Sequence, residues 1–329
     1  MKEGQVYKIH SDFYYVNDGK TSFECKAREI LKKRKEQIVV GDFVKFENGA
    51  IEEILPRKNY IPRPSVSNID VLVIVSALKE PDLDFTQLNR YLSFAKFYNI
   101  QSILCFNKED LETDDELGQK IKKIYLPLGY EIFFTSAKEG LGIYELKKYL
   151  NGKTCVLCGN SGVGKSSIIN SIAPKVNLRT KQVSEKTGRG VHTTRHCEII
   201  EADENLRIVD TPGFSNLKFD FLLPQEVSKL FDEINDLRPY CKFKDCLHIN
   251  ESGCAITEHL EDIDETRYNS YLEFVEEAKS YKERVKYEGK KEETSKKIVN
   301  NREMAKLHGR KRQVSRNTVK QNLEKQIDE

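Results

Sequence analysis

The feature that most restricts the fold is a glycine-rich segment near the middle of the chain that ends in Gly-Lys-Ser. Its residues are Gly159, Asn160, Ser161, Gly162, Val163, Gly164, Lys165 and Ser166. An apolar run at residues 155–157 precedes it, and a helical pattern begins at Ser166. Strand, glycine loop and helix in this order predict a P-loop, whose backbone N–H groups and helix N-terminus bind phosphate oxygens. Lys165 is expected to reach the β and γ oxygens, Ser166 to ligate Mg²⁺, and Ser167 to complete the site from the first helical turn.

Apolar patterning places this loop in the second of four segments. Residues 1–64 alternate short apolar runs with turn signals, which indicates a small antiparallel β-domain. A five-stranded oligonucleotide-binding (OB) barrel fits its length, and an SH3-like barrel or a simple meander is also compatible. The proline-containing stretch 56–64 is predicted to lack regular structure and to act as a linker.

Residues 65–220 carry the pattern of a doubly wound α/β domain. Short apolar runs predict buried parallel strands at 71–75, 103–106, 132–134, 155–157 and 206–209. Helical patterns at 85–97 and 142–150 alternate with them. Residues 221–290 are predicted to be helical around a cysteine cluster, and 291–329 form a basic tail.

Charge is unevenly distributed along the 329 residues, although the formal net charge is only +2. From residue 279 to 329 there are 16 Lys and Arg against 8 Asp and Glu, a local net charge of +8 that leaves about −6 for the rest. No apolar run approaches the roughly 20 residues of a membrane-spanning helix, and the N-terminus lacks a secretory signal. A cytoplasmic location is therefore expected. The expected oligomeric state is a monomer, which none of these features decides.

A second motif identifies the base of the nucleotide. Asn107, Lys108, Glu109 and Asp110 follow the predicted strand 103–106 and match Asn-Lys-x-Asp. The Asp110 carboxylate would accept hydrogen bonds from guanine N1–H and N2–H₂, which adenine does not present together, and each charged bond contributes about 1.5–3 kcal/mol. Asn107 would support the loop, and the Lys108 stem would pack on the ring.

The loop after the next predicted strand supports guanine over adenine. Ser136, Ala137 and Lys138 form the Ser-Ala-Lys sequence whose backbone is expected to contact guanine O6. Together, the two guanine motifs and the P-loop predict binding of GTP.

Switch residues are expected on both sides of the strand 206–209. Either Thr193 or Thr194 should bind Mg²⁺ in the GTP state, since spacing does not distinguish them. Asp210 is expected to hold Mg²⁺ through water, and the Gly213 N–H to sense the γ-phosphate. Phe214 stands where Ras-like GTPases carry the glutamine that orients water, so His192 or a group from a partner is expected to take that role.

Cys241, Cys246, His248 and Cys254 form a Cys-x4-Cys-x-His-x5-Cys cluster. Three thiolates and one imidazole are the ligands of a closed, tetrahedral structural zinc site. Cys155 and Cys158 also form a Cys-x-x-Cys, but residues i and i+3 of a strand point to opposite faces, so core packing is predicted for them.

In this chain the guanine motif precedes the P-loop, which is a circular permutation of the usual order. With the N-terminal β-domain, the Cys₃His cluster and the Gly190-x-His192-Thr193-Thr194 segment, this order resembles the ribosome small-subunit-dependent GTPase A family (RsgA/YjeQ type). The resemblance covers residues 1 to about 290. It implies an OB-fold RNA-binding domain (1–64), a circularly permuted GTPase domain (65–220) and a zinc domain (221–290), followed by the basic tail (291–329).

The same resemblance implies late maturation of the 30S ribosomal subunit as the function, with contacts to 16S rRNA. It also implies GTP hydrolysis stimulated by the small subunit, one structural Zn²⁺, and Mg²⁺ bound with GTP. Two other functions fit the motifs: a GTPase acting on another RNA or ribonucleoprotein, and a non-catalytic GTP-sensing RNA-binding module. Measurement of GTP turnover with 30S, 50S and free RNA separates the three.

Overall fold

The computed structural model organises the chain into two compact units. It describes residues 1–33, 36–112, 115–174, 197–203, 205–210, 217, 219, 222–288, 296–299 and 302–305. The first unit comprises Met1–Leu217 and Asp264–Ser270, and the second comprises Lys218–Ile263 and Tyr271–Glu329.

The first unit begins with a closed five-stranded barrel. Its elements are β1 (Lys2–His10), β2 (Phe13–Asn17), β3 (Ser22–Ala27), the short helix α1 (Glu29–Lys33), β4 (Phe43–Glu47) and β5 (Ala50–Ile54). The strands pair in the order β1-β2-β3-β5-β4, and β4 returns to pair with β1. Inward side chains such as Val6, Val16 and Ile51 fill the interior. The closed barrel confirms the OB-like prediction, and an open meander is wrong because β1 and β4 pair.

A two-stranded ribbon follows the barrel where a linker without regular structure was predicted. β6 (Tyr60–Pro62) pairs with β7 (Ser65–Ser67), so that prediction is wrong for these residues. A two-stranded ribbon has only edge strands, where proline is tolerated. Side-chain bonds hold the ribbon to the barrel: the buried carboxylate of Asp42 accepts from Arg57 Nε at 2.7 Å, Arg57 Nη2 at 2.8 Å and Ser67 Oγ at 2.6 Å.

The rest of the first unit is an α/β domain. Its elements are β8 (Val71–Ala77), α2 (Phe85–Phe97), β9 (Gln101–Asn107), α3 (Glu116–Tyr125), β10 (Ile132–Thr135), α4 (Ile143–Leu150), β11 (Thr154–Cys158), α5 (Lys165–Ile172), β12 (Glu198–Asp203) and β13 (Leu206–Asp210). The strand order is β10-β9-β8-β11-β13-β12, and the first five strands are parallel. The predicted doubly wound sheet is confirmed, with the P-loop strand β11 near its centre.

Helices cover both faces of this sheet, and the strands are buried accordingly. Cys155 packs in the core on one face and Cys158 in the core on the other, as the alternation of strand side chains requires. Burial raises the pKa of Cys155 to about 12, so its thiol stays protonated at neutral pH. The prediction of core packing for this pair is confirmed.

Sequence patterns did not predict β12. This strand pairs antiparallel with β13, and its Glu198 pairs with Lys8 of β1. Barrel and α/β strands thereby form one eleven-stranded sheet.

The second unit is mainly helical, as predicted. Its helices are α6 (Pro224–Val227), α7 (Asp232–Leu237), α8 (Ala255–Glu258) and α9 (Glu265–Glu288). Residues 265–270 of α9 belong to the first unit. A hairpin of β14 (Lys296–Val299) and β15 (Arg302–Ala305) follows. Aromatic rings of Phe219, Phe231, Tyr271 and Phe274 pack together in its core. Among the helices described, none has both the length and the apolar character required to cross a membrane.

Candidate functional site

The predicted P-loop lies between the end of β11 and the start of α5, in the expected setting. Its glycines allow close approach of neighbouring groups. Gly159 has a φ of 140°, and a Cβ there would lie 2.0 Å from the Val75 carbonyl oxygen. Gly164 has a φ of 97°, and a Cβ there would lie 2.1 Å from Asn107 Nδ2. Only glycine fits these two positions.

Lys165 begins α5 and turns its ammonium group back over the loop. Its Nζ donates to the carbonyl oxygens of Gly159 at 2.8 Å and Asn160 at 2.7 Å. Burial lowers the pKa of Lys165, because the charged form loses water around it. A bound phosphate would favour the charged form and offer stronger acceptors than two carbonyl groups.

Asn107 connects the guanine motif to the two other loops. Its side chain is buried, and its Nδ2 donates to the Val163 carbonyl oxygen of the P-loop at 2.9 Å. Its Oδ1 accepts from the Ala137 N–H at 3.1 Å and from Thr135 Oγ1 at 3.3 Å. One amide therefore holds the predicted guanine-binding and phosphate-binding loops together, consistent with the support role predicted for it.

Asp110 and the Ser-Ala-Lys loop meet at the same edge of the sheet. Ser136 Oγ donates to Asp110 Oδ1 at 2.5 Å, and Lys138 Nζ lies 4.0 Å from Asp110 Oδ2. Lys108 adopts the left-handed conformation with a φ of 66°, and its ammonium group donates to the carbonyl oxygen of Glu80. This arrangement presents a largely buried carboxylate with ordered neighbours, which is what recognition of two adjacent N–H donors requires.

Several contacts at this edge involve residues that no motif indicated. Ser171 Oγ, in α5, donates to the Ala137 carbonyl oxygen at 3.1 Å. Tyr91 Oη, in α2, donates to Asn160 Oδ1 at 3.4 Å. Both residues stand in ordinary helical patterns, so the sequence offered no local signal for their contacts.

The switch predictions fall mostly on residues that the structure does not describe. His192, Thr193, Thr194, Gly213 and Phe214 lie outside the described residues. Asp210 is the last residue of β13, which pairs in parallel with β11. Its backbone therefore lies at the same edge of the sheet as the P-loop, which follows β11.

The four predicted zinc ligands converge in the second unit. One ligand atom each from Cys241, Cys246, His248 and Cys254 lies within 4.8 Å of every other. His248 Nδ1 is 3.5 Å from Cys241 Sγ and 3.6 Å from Cys254 Sγ, and these two sulfurs are 4.0 Å apart. Tetrahedral zinc with Zn–S of about 2.3 Å and Zn–N of about 2.1 Å needs S–N and S–S separations of about 3.6 and 3.8 Å. The cluster fits a structural zinc ion, with Nδ1 as the imidazole ligand.

A carboxylate that sequence reasoning missed supports this centre. Glu251 accepts hydrogen bonds from the backbone N–H groups of Leu247 and Ile249, both at 2.8 Å, and of Asn250 at 3.2 Å. Tyr271 Oη donates to the Leu247 carbonyl oxygen at 2.7 Å. These bonds hold the backbone on both sides of His248, and such outer contacts orient metal ligands.

Two family models match adjoining parts of the chain. Residues 3–53 match the model described as the RsgA N-terminal domain, and residues 54–220 match the model described as RsgA GTPase. Curated relatives include small ribosomal subunit biogenesis GTPases RsgA from Alkaliphilus metalliredigens and Agathobacter rectalis. The first is 38% identical over 288 residues, covering 85% of this chain and 98% of the relative. The second is 40% identical over 297 residues, covering 84% and 98%.

Solved structures show the same architecture. YjeQ from Thermotoga maritima aligns with a TM-score of 0.74 at 34% identity, covering 84% of this chain and 98% of that one. YloQ, described as a circularly permuted GTPase, aligns with a TM-score of 0.72 at 32% identity, covering 85% and 96%. The similarity therefore extends over nearly the full length of each solved chain and over about 85% of this one.

Proposed function

The chain belongs to the RsgA GTPase family, and from this premise we propose that it hydrolyses GTP during biogenesis of the small ribosomal subunit. The observation that carries the proposal is the position of Asn107, whose amide bonds to the P-loop and to the Ser-Ala-Lys loop at once. A nucleotide whose guanine lies at the Ser-Ala-Lys loop would thus have its phosphates beside the P-loop.

Each part of the nucleotide has proposed binding residues in this arrangement. Asp110 reads the guanine N–H donors, with Asn107 and Lys108 beside it. The Ser-Ala-Lys loop borders the base through Ser136, Ala137 and Lys138. The phosphates lie against the P-loop residues Gly159, Asn160, Ser161, Gly162, Val163, Gly164, Lys165 and Ser166, with Ser167 in the next position of α5. The N–H groups at the start of α5 and the Lys165 ammonium supply positive charge for the phosphates.

Mg²⁺ held with GTP would be bound by Ser166 and either Thr193 or Thr194, with Asp210 contributing through water and Gly213 sensing the γ-phosphate. Bound Mg²⁺ neutralises charge on the β and γ oxygens. We propose that His192 or a group from the small subunit orients the attacking water, because Phe214 has no polar group for that purpose. Turnover by the isolated protein should consequently be slow.

The remaining domains would contact RNA. We propose the division into an OB-fold domain (1–64), a permuted GTPase domain (65–220), a zinc domain (221–290) and a basic tail (291–329). The Cys₃His cluster would hold one structural Zn²⁺, and the ligand separations support that assignment. The partners would be the 30S subunit and its 16S rRNA, in the bacterial cytoplasm, with the protein acting as a monomer.

GTP turnover in the presence of purified particles tests this function. Phosphate release is measured for the protein alone and with 30S subunits, 50S subunits or free RNA. Lys165→Ala serves as the control for contaminating GTPases, because it removes the phosphate-binding ammonium group. We expect strong stimulation by 30S subunits only. Stimulation by the other additions but not by 30S subunits would refute the proposal.

A further inference from the structure

The loop that leads into and through the zinc cluster carries two aromatic rings on its surface. Tyr240 is 77% exposed and Phe243 is 49% exposed, whereas Phe231, Tyr271 and Phe274 of the same unit pack in its core. Three cations surround these rings in the sequence. We call the group the knuckle surface, and it consists of Arg238, Tyr240, Lys242, Phe243 and Lys244.

The backbone beneath the knuckle surface is fixed by hydrogen bonds and by the cluster. The Cys241 N–H donates to the Arg238 carbonyl oxygen at 3.2 Å, and the Lys242 N–H donates to the Gly253 carbonyl oxygen at 2.9 Å. The Cys246 N–H donates to the Phe243 carbonyl oxygen at 3.4 Å. Two of the residues making these bonds are zinc ligands, so metal binding and loop geometry support each other. The exposed rings are therefore presented by an ordered loop.

The positive charges beside the rings indicate which kind of partner this surface can bind. Lys242 Nζ lies 5.4 Å from the centroid of the Phe243 ring, and Lys244 is exposed beside it. Among the described residues, neither lysine has an ion pair within 4.0 Å. Between Arg238 and Cys246 the only acidic residue is Asp245. Rings bordered by cations match a ligand with flat apolar faces and regularly spaced negative charges.

Nucleic acid with unpaired bases has both properties. Unstacked bases lie on aromatic side chains, and lysines and arginines contact the phosphates between them. A duplex keeps its base faces stacked internally, so it offers only phosphates to the same surface. A purely apolar protein partner would cover the rings but leave the cations without counter-charges.

We propose that the knuckle surface binds an unpaired RNA segment, with bases stacked on Tyr240 and Phe243 and phosphates bound by Lys242 and Lys244. This inference rests on the proposed function, because it specifies which feature of rRNA the second unit contacts. Leucine in place of either ring keeps the apolar character and removes the stacking face, so it separates base stacking from general hydrophobic contact.

Fluorescence anisotropy with the full-length, zinc-loaded protein tests the stacking. Affinities are measured for a single-stranded RNA oligonucleotide and for the duplex of the same sequence. Tyr240→Leu and Phe243→Leu should each weaken binding of the single strand about fivefold or more, and leave duplex binding unchanged. Tyr144→Leu is the matched control, because Tyr144 is 71% exposed in the first unit. Zinc content and melting temperature of each variant establish that the fold is intact.

Salt dependence tests the phosphate contacts separately. Lys244→Gln should lower the slope of log affinity against log salt by about 0.7 for the single strand. Full single-strand affinity in both leucine variants, or equal losses for single strand and duplex, would overturn the proposal. Loss of 30S association with full RNA affinity would overturn it in favour of a protein contact. The proposed function is tested by a different measurement, GTP turnover, and would be rejected if 30S subunits failed to stimulate the unaltered protein.

Discussion

Replacement of Asn107 by alanine should weaken guanine nucleotide binding by loosening two loops at once. The substitution removes the bonds to the Val163 carbonyl oxygen, the Ala137 N–H and Thr135 Oγ1, at 2.9, 3.1 and 3.3 Å. The Thr135 hydroxyl can rotate to another acceptor, but the two backbone groups have fixed directions. Each backbone group left without a partner costs about 1–3 kcal/mol, so the sum is about 2–6 kcal/mol.

Part of this cost should lower the free energy of unfolding and part should lower the affinity for nucleotide, because binding requires both loops in their native positions. We expect the affinities for GTP and GDP to fall together by about tenfold or more, which corresponds to about 1.4 kcal/mol. The assays are titration calorimetry with each nucleotide and urea unfolding of the free protein. Asn151→Ala, at the exposed end of α4, is the control.

An isosteric variant separates the connection to the P-loop from the other two bonds. Asn107→Asp retains oxygen acceptors for Ala137 and Thr135 but places an acceptor against the Val163 carbonyl oxygen. Its nucleotide affinity should fall at least as far as that of the alanine variant. Affinities within about twofold of the unaltered protein, together with unchanged unfolding, would refute the connecting role of Asn107.

Three further predictions concern other parts of the chain. Asp42→Asn should lower the free energy of unfolding by about 3–5 kcal/mol, because the buried Asp42 carboxylate accepts four hydrogen bonds. The control Lys45→Gln, which removes an exposed ion pair, should lower it by less than about 1 kcal/mol. Urea denaturation checks this, and equal losses would contradict it. Cys254→Ser should abolish zinc retention and speed hydrogen exchange in 222–263 and 271–288, unlike Cys25→Ser in the barrel. Metal analysis and exchange mass spectrometry measure these two effects, and an unaltered zinc content would reject the ligand assignment. Asp110→Asn should cost about 1.5–3 kcal/mol in GTP binding and favour xanthosine triphosphate, measured by competition; a retained preference for GTP would count against guanine recognition by Asp110.

Local patterns predicted most of the α/β domain because its elements have strong local signals. The run 71–75 became β8, and the helix predicted at 85–97 has those bounds, with Asp84 Oδ1 accepting from the Gln87 N–H at its start. The P-loop was placed correctly because its glycines, lysine and helix start are adjacent in the chain. The zinc cluster was found for the same reason, since its ligands lie within one short segment.

Contacts between distant segments were not predictable in the same way. β12 is short, and its two adjacent isoleucines break the alternation of polar and apolar residues that marks a strand. Its partner β1 lies about 190 residues earlier in the chain. The ribbon of β6 and β7 was missed because prolines suggested a linker, while the Asp42 to Arg57 contact that secures it depends on the closed barrel. The Asn107 motif predicts a supporting role but not the bond to Val163. That bond forms because only one strand, β8, lies between β9, which ends at Asn107, and β11, which leads into the P-loop.

The pairing of β1 with β12 has a geometric consequence for the first unit. Lys8 and Glu198 are register partners and form an ion pair at 2.7 Å, so the barrel continues the hydrogen-bonded sheet that carries the nucleotide edge. Hydrogen bonds along a sheet resist bending and sliding between its strands. Within the first unit, the barrel is consequently joined to the nucleotide-binding edge through paired strands as well as through the covalent chain.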